Sequence, residues 1–435
     1  MKLLVKGGQV IDPANGINQN ADLLIEKGKI AAIGASLTVD RETEVIDATG
    51  KIVTPGLIDM HVHLREPGFE AKETIKTGTR AAAMGGFTSV ACMPNTKPVV
   101  DNQAVVEFIK ARAAQNGLVN VYPIGAITKG SGGEELAEIA DLKAAGAVAL
   151  SDDGRPVMNA EVMRRALEYV KMFDLPIICH CEDLHLSAEG VMNEGYWSMV
   201  LGLKGIPNAA EEVMVARDLI LSEMTGTPVH IAHVSTAGSV RLIREAKQRG
   251  VKVTAEVTPH HLTLTDEIVK NFDTYTKVNP PLRTPSDIAA LKQGLVDGTI
   301  DVIATDHAPH TLEEKDGEYT FASFGIVGLE TAVPLIWWEL VEREKMPLET
   351  VVAKLTINPA RILGLPKGTL SVGADADITV IDPRLELVVD IDKFESKGKN
   401  SPYNGWLLRG WPVITIVGGR VVMKDRRIVE QHQQG

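Results

Sequence analysis

Strand-like and helix-like segments alternate eight times between two strand-rich chain ends, which predicts a (β/α)8 barrel of the TIM type beside a small sheet built from both ends. Three observations carry that prediction. Apolar runs fall at 52–63, 88–94, 119–127, 146–153, 175–182, 227–234, 251–259 and 300–307. Amphipathic stretches such as EVMRRALEYVKMF and NAAEEVMVARDLILSEM lie between them. Short β-branched segments punctuated by glycine occupy the two ends, and a dinucleotide-type sheet is the weaker alternative. That fold opens with G-x-G-x-x-G after its first strand, whereas the first strand here ends in HVHLREPG. The expected division is 1–52 and 365–435 as the two parts of the small β unit, with 53–364 as the barrel.

At the N-terminal end, LLVKGGQVID, ADLLIEKGKIAAIG and TEVIDATGKIV read as strands broken by turns. The C-terminal GTLSVGADADITVID, LELVVD and WPVITIVGGRVVMKD read the same way. VKGGQVID and IVGGRVVMKD are expected to meet in one module, the alternative being two unrelated terminal ornaments.

In the first barrel strand, period-two alternation puts Ile58, Met60, Val62 and Leu64 toward the helices and Asp59, His61 and His63 toward the barrel interior. A lone His-x-His is most often ordinary strand surface, so partners decide its meaning. Asn95 closes the second strand. In the fourth, Ala147, Ala149, Ser151 and Asp153 share one face and Val148, Leu150 and Asp152 the other. Asp153 is therefore placed to bridge cations, although Asp-Asp-Gly is also a common turn and helix cap. His180, His233 and Asp306 close the fifth, sixth and eighth strands. Burying several imidazoles and carboxylates in one mouth is costly unless a cation shares them, and this donor set suits zinc or a similar divalent ion.

Cys179 and Cys181 flank His180 on the opposite face and read as core fillers. His230 reads as a packed or helix-facing residue, His260 and His261 stay ambiguous, and His185 and His432 read as exposed. The 183–207 stretch is expected to be irregular. Arg65, Asn95, Asn279 and His310 reach the same mouth, where an arginine fork with amide and imidazole groups would receive a carboxylate. The alternative for Arg65 is a structural pair with Glu66 or Glu73. The polar stretch from Glu313 through GEYTFASFG is expected to be a mobile loop over the mouth, or else a solvated turn.

Composition narrows the function classes. With 44% hydrophobic, 23% charged and 4% aromatic residues in 435, the chain is an ordinary globular protein, not a disordered, collagen-like or disulfide-scaffold one. Forty-five basic against 57 acidic residues give −12, which repels a phosphate backbone and argues against nucleic-acid or anionic-membrane binding. Three cysteines, Cys92, Cys179 and Cys181, make no disulfide framework and fit a reducing cytoplasm. The N-terminal MKLLVKGGQVID is too short in its apolar run for a signal peptide, and no run approaches the ~18 residues of a membrane span. A cytoplasmic location is expected.

DMHVHLREPG and ATDHAPH resemble the two signature segments of the dihydroorotases of the amidohydrolase superfamily, and MPNT, SDDG, CHCED, AHVS, NPPLR and FGIVGLET match as well. The likeness spans essentially the whole chain. It implies an amidohydrolase-type barrel in which His61, His63, His180, His233 and Asp306 bind metal. It also implies that Asp153 bridges two zinc ions, as in one bacterial class. Other members bridge with a carboxylated lysine, but strand four offers no lysine after Lys143. Arg65, Asn95, Asn279 and His310 match substrate-binding positions, and Asp306 matches the catalytic proton carrier.

The implied reaction is the reversible, metal-dependent cyclisation of N-carbamoyl-L-aspartate to L-dihydroorotate in pyrimidine synthesis, with one or two Zn2+ per chain. As partners the resemblance implies the small-molecule substrate; a homodimer and a complex with aspartate transcarbamoylase are compatible with it. Two other functions compete: a cyclic amidase acting on dihydropyrimidines, hydantoins or allantoin, and a non-catalytic partner of aspartate transcarbamoylase. A neutral ring gives Arg65 and His310 less to do, and a non-catalytic homologue is expected to have lost metal ligands, of which none is missing. A plain carboxylate-binding module would need no metal cluster.

Overall fold

The computed structural model describes residues 2–430, so His432 lies outside the described residues. Five strands open the chain: β1 (Lys2–Asp12), β2 (Ile17–Glu26), β3 (Lys29–Gly34), β4 (Glu44–Asp47) and β5 (Ile52–Pro55). The barrel strands follow as β6 (Leu57–Val62), β7 (Phe87–Cys92), β8 (Asn120–Pro123), β9 (Leu150–Ser151) and β10 (Ile177–Cys179). After β11 (Met192–Asn193) and β12 (Gly205–Ile206) they continue as β13 (Val229–Ile231), β14 (Val253–Val257) and β15 (Val302–Ile303). The chain ends in β16 (Ile378–Val388), β17 (Leu407–Val417), β18 (Arg420–Lys424) and β19 (Arg427–Ile428).

The expected barrel is present. β6, β7 and β8 pair in parallel, as do β9, β10, β13, β14 and β15. Parallel bridges Gly125↔Leu150 and Val62↔His307 join the two arcs into a closed ring. Crossover helices cover the outside. Helix Ala160–Val170, capped by the Asn159 side chain, buries Met163, Ala166, Leu167 and Val170. This i, i+3, i+4, i+7 stripe is what a surface helix presents to a sheet. Residues 183–207 form two short helices around the two-stranded β11–β12 ladder.

Both chain ends share a nine-stranded sheet in the order β19-β18-β17-β16-β5-β1-β2-β3, with β4 on β1. VKGGQVID and IVGGRVVMKD therefore do not pair directly. β5 and β16 stand between them, and the seam is the antiparallel register Ile378↔Pro55 through Ile381↔Ile52. The expected first strand, 52–63, is two strands in two sheets. Gly56 is the hinge: a Cβ there would sit 2.1 Å from Thr88 Oγ1, so only glycine lets the chain pass so close to β7.

Alternation in β6 is broken. Its ladder with β7 shifts register between Leu57 and Ile58 and again between Asp59 and Val62. Val62 and Leu64 join the helix-facing core, but Met60 does not. It packs with Ala91, Ile124, Ala149, Ile178, Ala232 and Val302, a set drawn from nearly every barrel strand and hence inside the ring. The interior below the mouth is thus filled by side chains, as expected of a barrel core. No helix among the described residues is long and apolar enough to cross a membrane.

Candidate metal centre and active site

Arg65, His233 and Asp306 stand at strand ends with positive φ, 62°, 32° and 48°. Non-glycine residues rarely adopt this backbone region, and its cost is tolerated where side-chain aim matters. The turn at His233 also explains His230. Both histidines face inward, because the backbone swings after Ala232, so His230 packs inside the barrel and not against helices.

Four imidazoles surround the Asp153 carboxylate. Its oxygens lie 3.5 Å from His61 Nε2, 3.5 Å from His63 Nε2, 3.6 Å from His180 Nδ1 and 3.7 Å from His233 Nε2. Asp306 Oδ1 is 3.0 Å from His63 Nε2 and 3.4 Å from His61 Nε2. Two triads have mutually close ligand atoms: His61, Asp153 and His233, and His61, His63 and Asp306. Asp152 faces away and accepts hydrogen bonds from the Ile127 and Thr128 backbone.

A divalent cation fits these residues. His61 Nε2 and Asp153 Oδ1 are buried with no hydrogen-bond partner among the described residues. A lone pair and a carboxylate oxygen left bare at the same point are costly unless they share a cation. Without one, protons take its place. Burial would lower the His61 imidazole, yet Glu256, Asp306 and Asp153 together raise it well above its ordinary value. Burial likewise lowers His180, but Asp153 and Glu182 raise it to about 10. Burial raises Asp153 and Asp306, and the His61 charge more than reverses this, holding both well below the usual carboxylate range. Metal binding here should therefore release protons.

Behind these candidate ligands stand two carboxylates that sequence reading passed over. Glu256 Oε1 lies 2.5 Å from His61 Nδ1, while Oε2 lies 3.1 Å from His230 Nε2. Glu182 Oε2 accepts from His180 Nε2 at 2.9 Å and from Asn279 Nδ2 at 2.8 Å. Burial works against both charges, and neighbouring histidines nonetheless bring each carboxyl to about 2. The signal for Glu256 was present: a lone charge inside the apolar strand AEV. Asp59, also on the expected inward face, is no ligand. It accepts from the His61 and Thr305 backbone and ties β6 to β15.

A cavity of about 240 Å³ opens above the cluster, lined among others by Arg65, Asn95, Asn279, His310 and Phe324. Arg65 is half-buried. Its Nε donates to the Pro309 carbonyl at 3.2 Å, its Nη2 lies 3.4 Å from His310 Nε2, and among the described residues no carboxylate pairs with it. Glu66 is taken by Arg112 at 2.7 Å, and Glu73 by His307 and Ser396. Asn95 spends its carbonyl on His63 Nδ1 at 2.9 Å, leaving its amide hydrogens toward Asp153 and the cavity. His310 has its ring nitrogens against Glu314 and the Phe324 carbonyl, each at 2.8 Å.

The stretch over the mouth is pinned rather than merely polar. Lys315 is buried and donates to the Thr274, Lys277 and Ser323 carbonyls. Cys179 and Cys181 pack in the helix-facing core, and His185 is exposed. His261 is bonded to Thr258 and the Pro280 carbonyl. His260 is buried with a bare Nε2, and burial lowers its imidazole to about 4.

Residues 50–239 match a family model described as Dihydro-orotase-like, and residues 325–423 match one described as Amidohydrolase family. The chain is 68% identical to a protein of Pelotomaculum thermopropionicum named dihydroorotase, covering 98% of this chain and all of that one. It is 58% identical to a protein of the same name from Acetivibrio thermocellus, covering 98% of this chain and 99% of the other. Among solved structures, an L-hydantoinase (dihydropyrimidinase) from Arthrobacter aurescens superposes with a TM-score of 0.89 at 28% identity, covering 99% of this chain and 97% of that one.

Proposed function

The chain belongs to the dihydroorotase family of amidohydrolases, and from that membership we propose that its barrel mouth interconverts N-carbamoyl-L-aspartate and L-dihydroorotate. One observation carries the substrate reading: the Arg65 guanidinium lines the cavity with no carboxylate partner among the described residues. Its contacts are neutral, the Pro309 carbonyl at 3.2 Å and the His310 ring at 3.4 Å, and a guanidinium held only by neutral groups is a seat for an anion, which the substrate carboxylate supplies.

We assign His61, His63, Asp153, His180, His233 and Asp306 as the holders of one or two divalent cations, zinc being the ion best suited to imidazole and carboxylate donors. When bound, the cation lowers the pKa of a water and polarises the amide carbonyl. Asp306, kept ionised by His61 and His63, accepts the proton of the attacking water and returns it to the leaving ring nitrogen. Arg65 holds the ring carboxylate, with the Asn95 amide hydrogens beside it, and so fixes the scissile carbonyl over the cluster. His310 joins them if the ligand displaces the Phe324 carbonyl from its ring.

The hydantoinase likeness raises a second reading, a cyclic amidase for neutral rings, which leaves Arg65 unmatched. Turnover of L-dihydroorotate, dihydrouracil and hydantoin, each with and without a chelator, separates the two. Chelator-sensitive turnover of dihydroorotate in preference to the neutral rings is expected. Preference for a neutral ring would overturn the assignment.

A further inference from the structure

Resting on the reading of His180 as a metal holder and Asn279 as a substrate contact, we infer that Glu182 is a positioning residue that couples the substrate pocket to the cation site. A single oxygen makes the connection. Glu182 Oε2 accepts from His180 Nε2 and from Asn279 Nδ2. Glu182 itself does not line the cavity, whereas His180 and Asn279 both do.

The consequence for His180 follows from its chemistry. A neutral imidazole carries one N–H. With that hydrogen on Nε2 and donated to Glu182, the lone pair is on Nδ1, which lies 2.9 Å from His233 Nε2 and 3.6 Å from Asp153 Oδ1. Glu182 thus selects the tautomer that offers a lone pair to the cluster, as carboxylates behind metal-binding histidines do. Asn279 is oriented by the same oxygen. One of its two amide hydrogens goes to Glu182, which fixes the plane of the amide and leaves its carbonyl able to accept from a ring N–H of the ligand.

A ligand that draws Asn279 inward pulls on the oxygen that holds His180. By reciprocity, a cation that fixes His180 favours the Asn279 rotamer that receives the ligand. The link joins residues 97 positions apart and runs through no cation, so it can be cut without removing a metal ligand.

The test titrates full-length, metal-stripped protein with zinc, alone and with saturating orotate, an unsaturated ring that keeps the carboxylate. In the parent protein orotate should tighten zinc binding. Glu182→Ala should weaken the looser zinc about tenfold to a hundredfold and abolish the orotate effect. Glu182→Gln, whose amide oxygen accepts both bonds, should restore most of each. If Glu182→Ala fails to fold, Asn279→Ala cuts the link from the other side: zinc should still bind, but orotate should no longer shift its affinity. An orotate effect undiminished in the Glu182→Ala or Asn279→Ala protein overturns the inference. His180→Ala separates the two levels. If it retains both zinc ions, the metal-site reading has failed, whereas loss of one ion there with parental zinc and orotate behaviour in Glu182→Ala sinks only the role of Glu182.

Discussion

On the His61 wall of the mouth, Asp153 and Asp306 stand among four imidazoles with His61 Nε2 and Asp153 Oδ1 bare, while on a second wall, at Arg65, the guanidinium has no carboxylate partner among the described residues. One wall gathers imidazole and carboxylate donors and the other presents a cation. Each suits a ligand of opposite sign: a divalent ion for the first, a carboxylate for the second. The separation is maintained by third parties, since Arg112, His307 and Ser396 occupy the acids nearest Arg65 in sequence. Were Glu66 or Glu73 free to pair with Arg65, the second wall would be neutral and blind to a carboxylate.

That contrast can be broken most severely at Asp306, which we propose serves the acid wall both as a metal holder and as the proton carrier. Asp306→Asn should lower kcat about 10²-fold to 10⁴-fold, the usual range for a positioned base. Steady-state kinetics with elemental analysis checks it, and near-parental kcat would remove Asp306 from the mechanism.

Asp153 and Asp152 sharpen the comparison along one strand. Asp153→Ala should weaken the second zinc at least tenfold, whereas Asp152→Ala should leave metal content unchanged, since Asp152 is bonded to the Ile127–Thr128 backbone. Reconstitution with zinc should be indifferent to bicarbonate, because an aspartate bridge needs no carbon dioxide. Bicarbonate dependence, or metal loss confined to the Asp152 variant, would show that the wrong bridge had been chosen.

The cationic wall answers to Arg65→Ala. Loss of one charge-assisted bond is worth about 1.5–3 kcal/mol, so kcat/KM for dihydroorotate should fall about tenfold to a hundredfold or more with zinc content intact. Turnover of a neutral ring should hardly move. A matching fall for both substrates would mean that Arg65 supports the fold and not the carboxylate.

Glu330 is the control, a buried acid that does not line the cavity. Burial raises its carboxyl from 4.5 to about 8, and its Oε1 accepts from the Ser396 backbone at 3.1 Å. A folded-state value above the unfolded one means that the folded protein holds the extra proton. Stability linked to Glu330 is therefore full below about pH 4.5 and is lost as pH rises toward about 8. Glu330→Gln should flatten that loss in Tm between about pH 5 and 8 and leave kcat unchanged. A parental Tm profile in the variant would show that Glu330 does not titrate in this window.

Local periodicity made much of this legible. Strand alternation separates Asp153 from Asp152 and His180 from its flanking cysteines, because the direction of a side chain from its own strand depends only on its neighbours in sequence. The same rule failed at Met60, where two register shifts in the ladder to β7 change the facing, and at His233, where a positive φ turns the chain. Neither irregularity leaves a trace in the residue pattern.

Sequence alone determined the strand-end donors, the alternation of the barrel and the strand-rich character of both ends, all consequences of short-range period and composition. Tertiary structure decided who pairs with whom. His61 meets Glu256 across 195 residues, Asn279 meets Glu182 across 97, and β5 meets β16 from opposite ends of the chain. It also decided that Arg65 has no acid partner among the described residues, by giving Glu66 to Arg112 and Glu73 to His307 and Ser396. Such choices depend on which segments the barrel closure brings within about 3 Å, a distance that hydrogen bonds require and that no local period encodes.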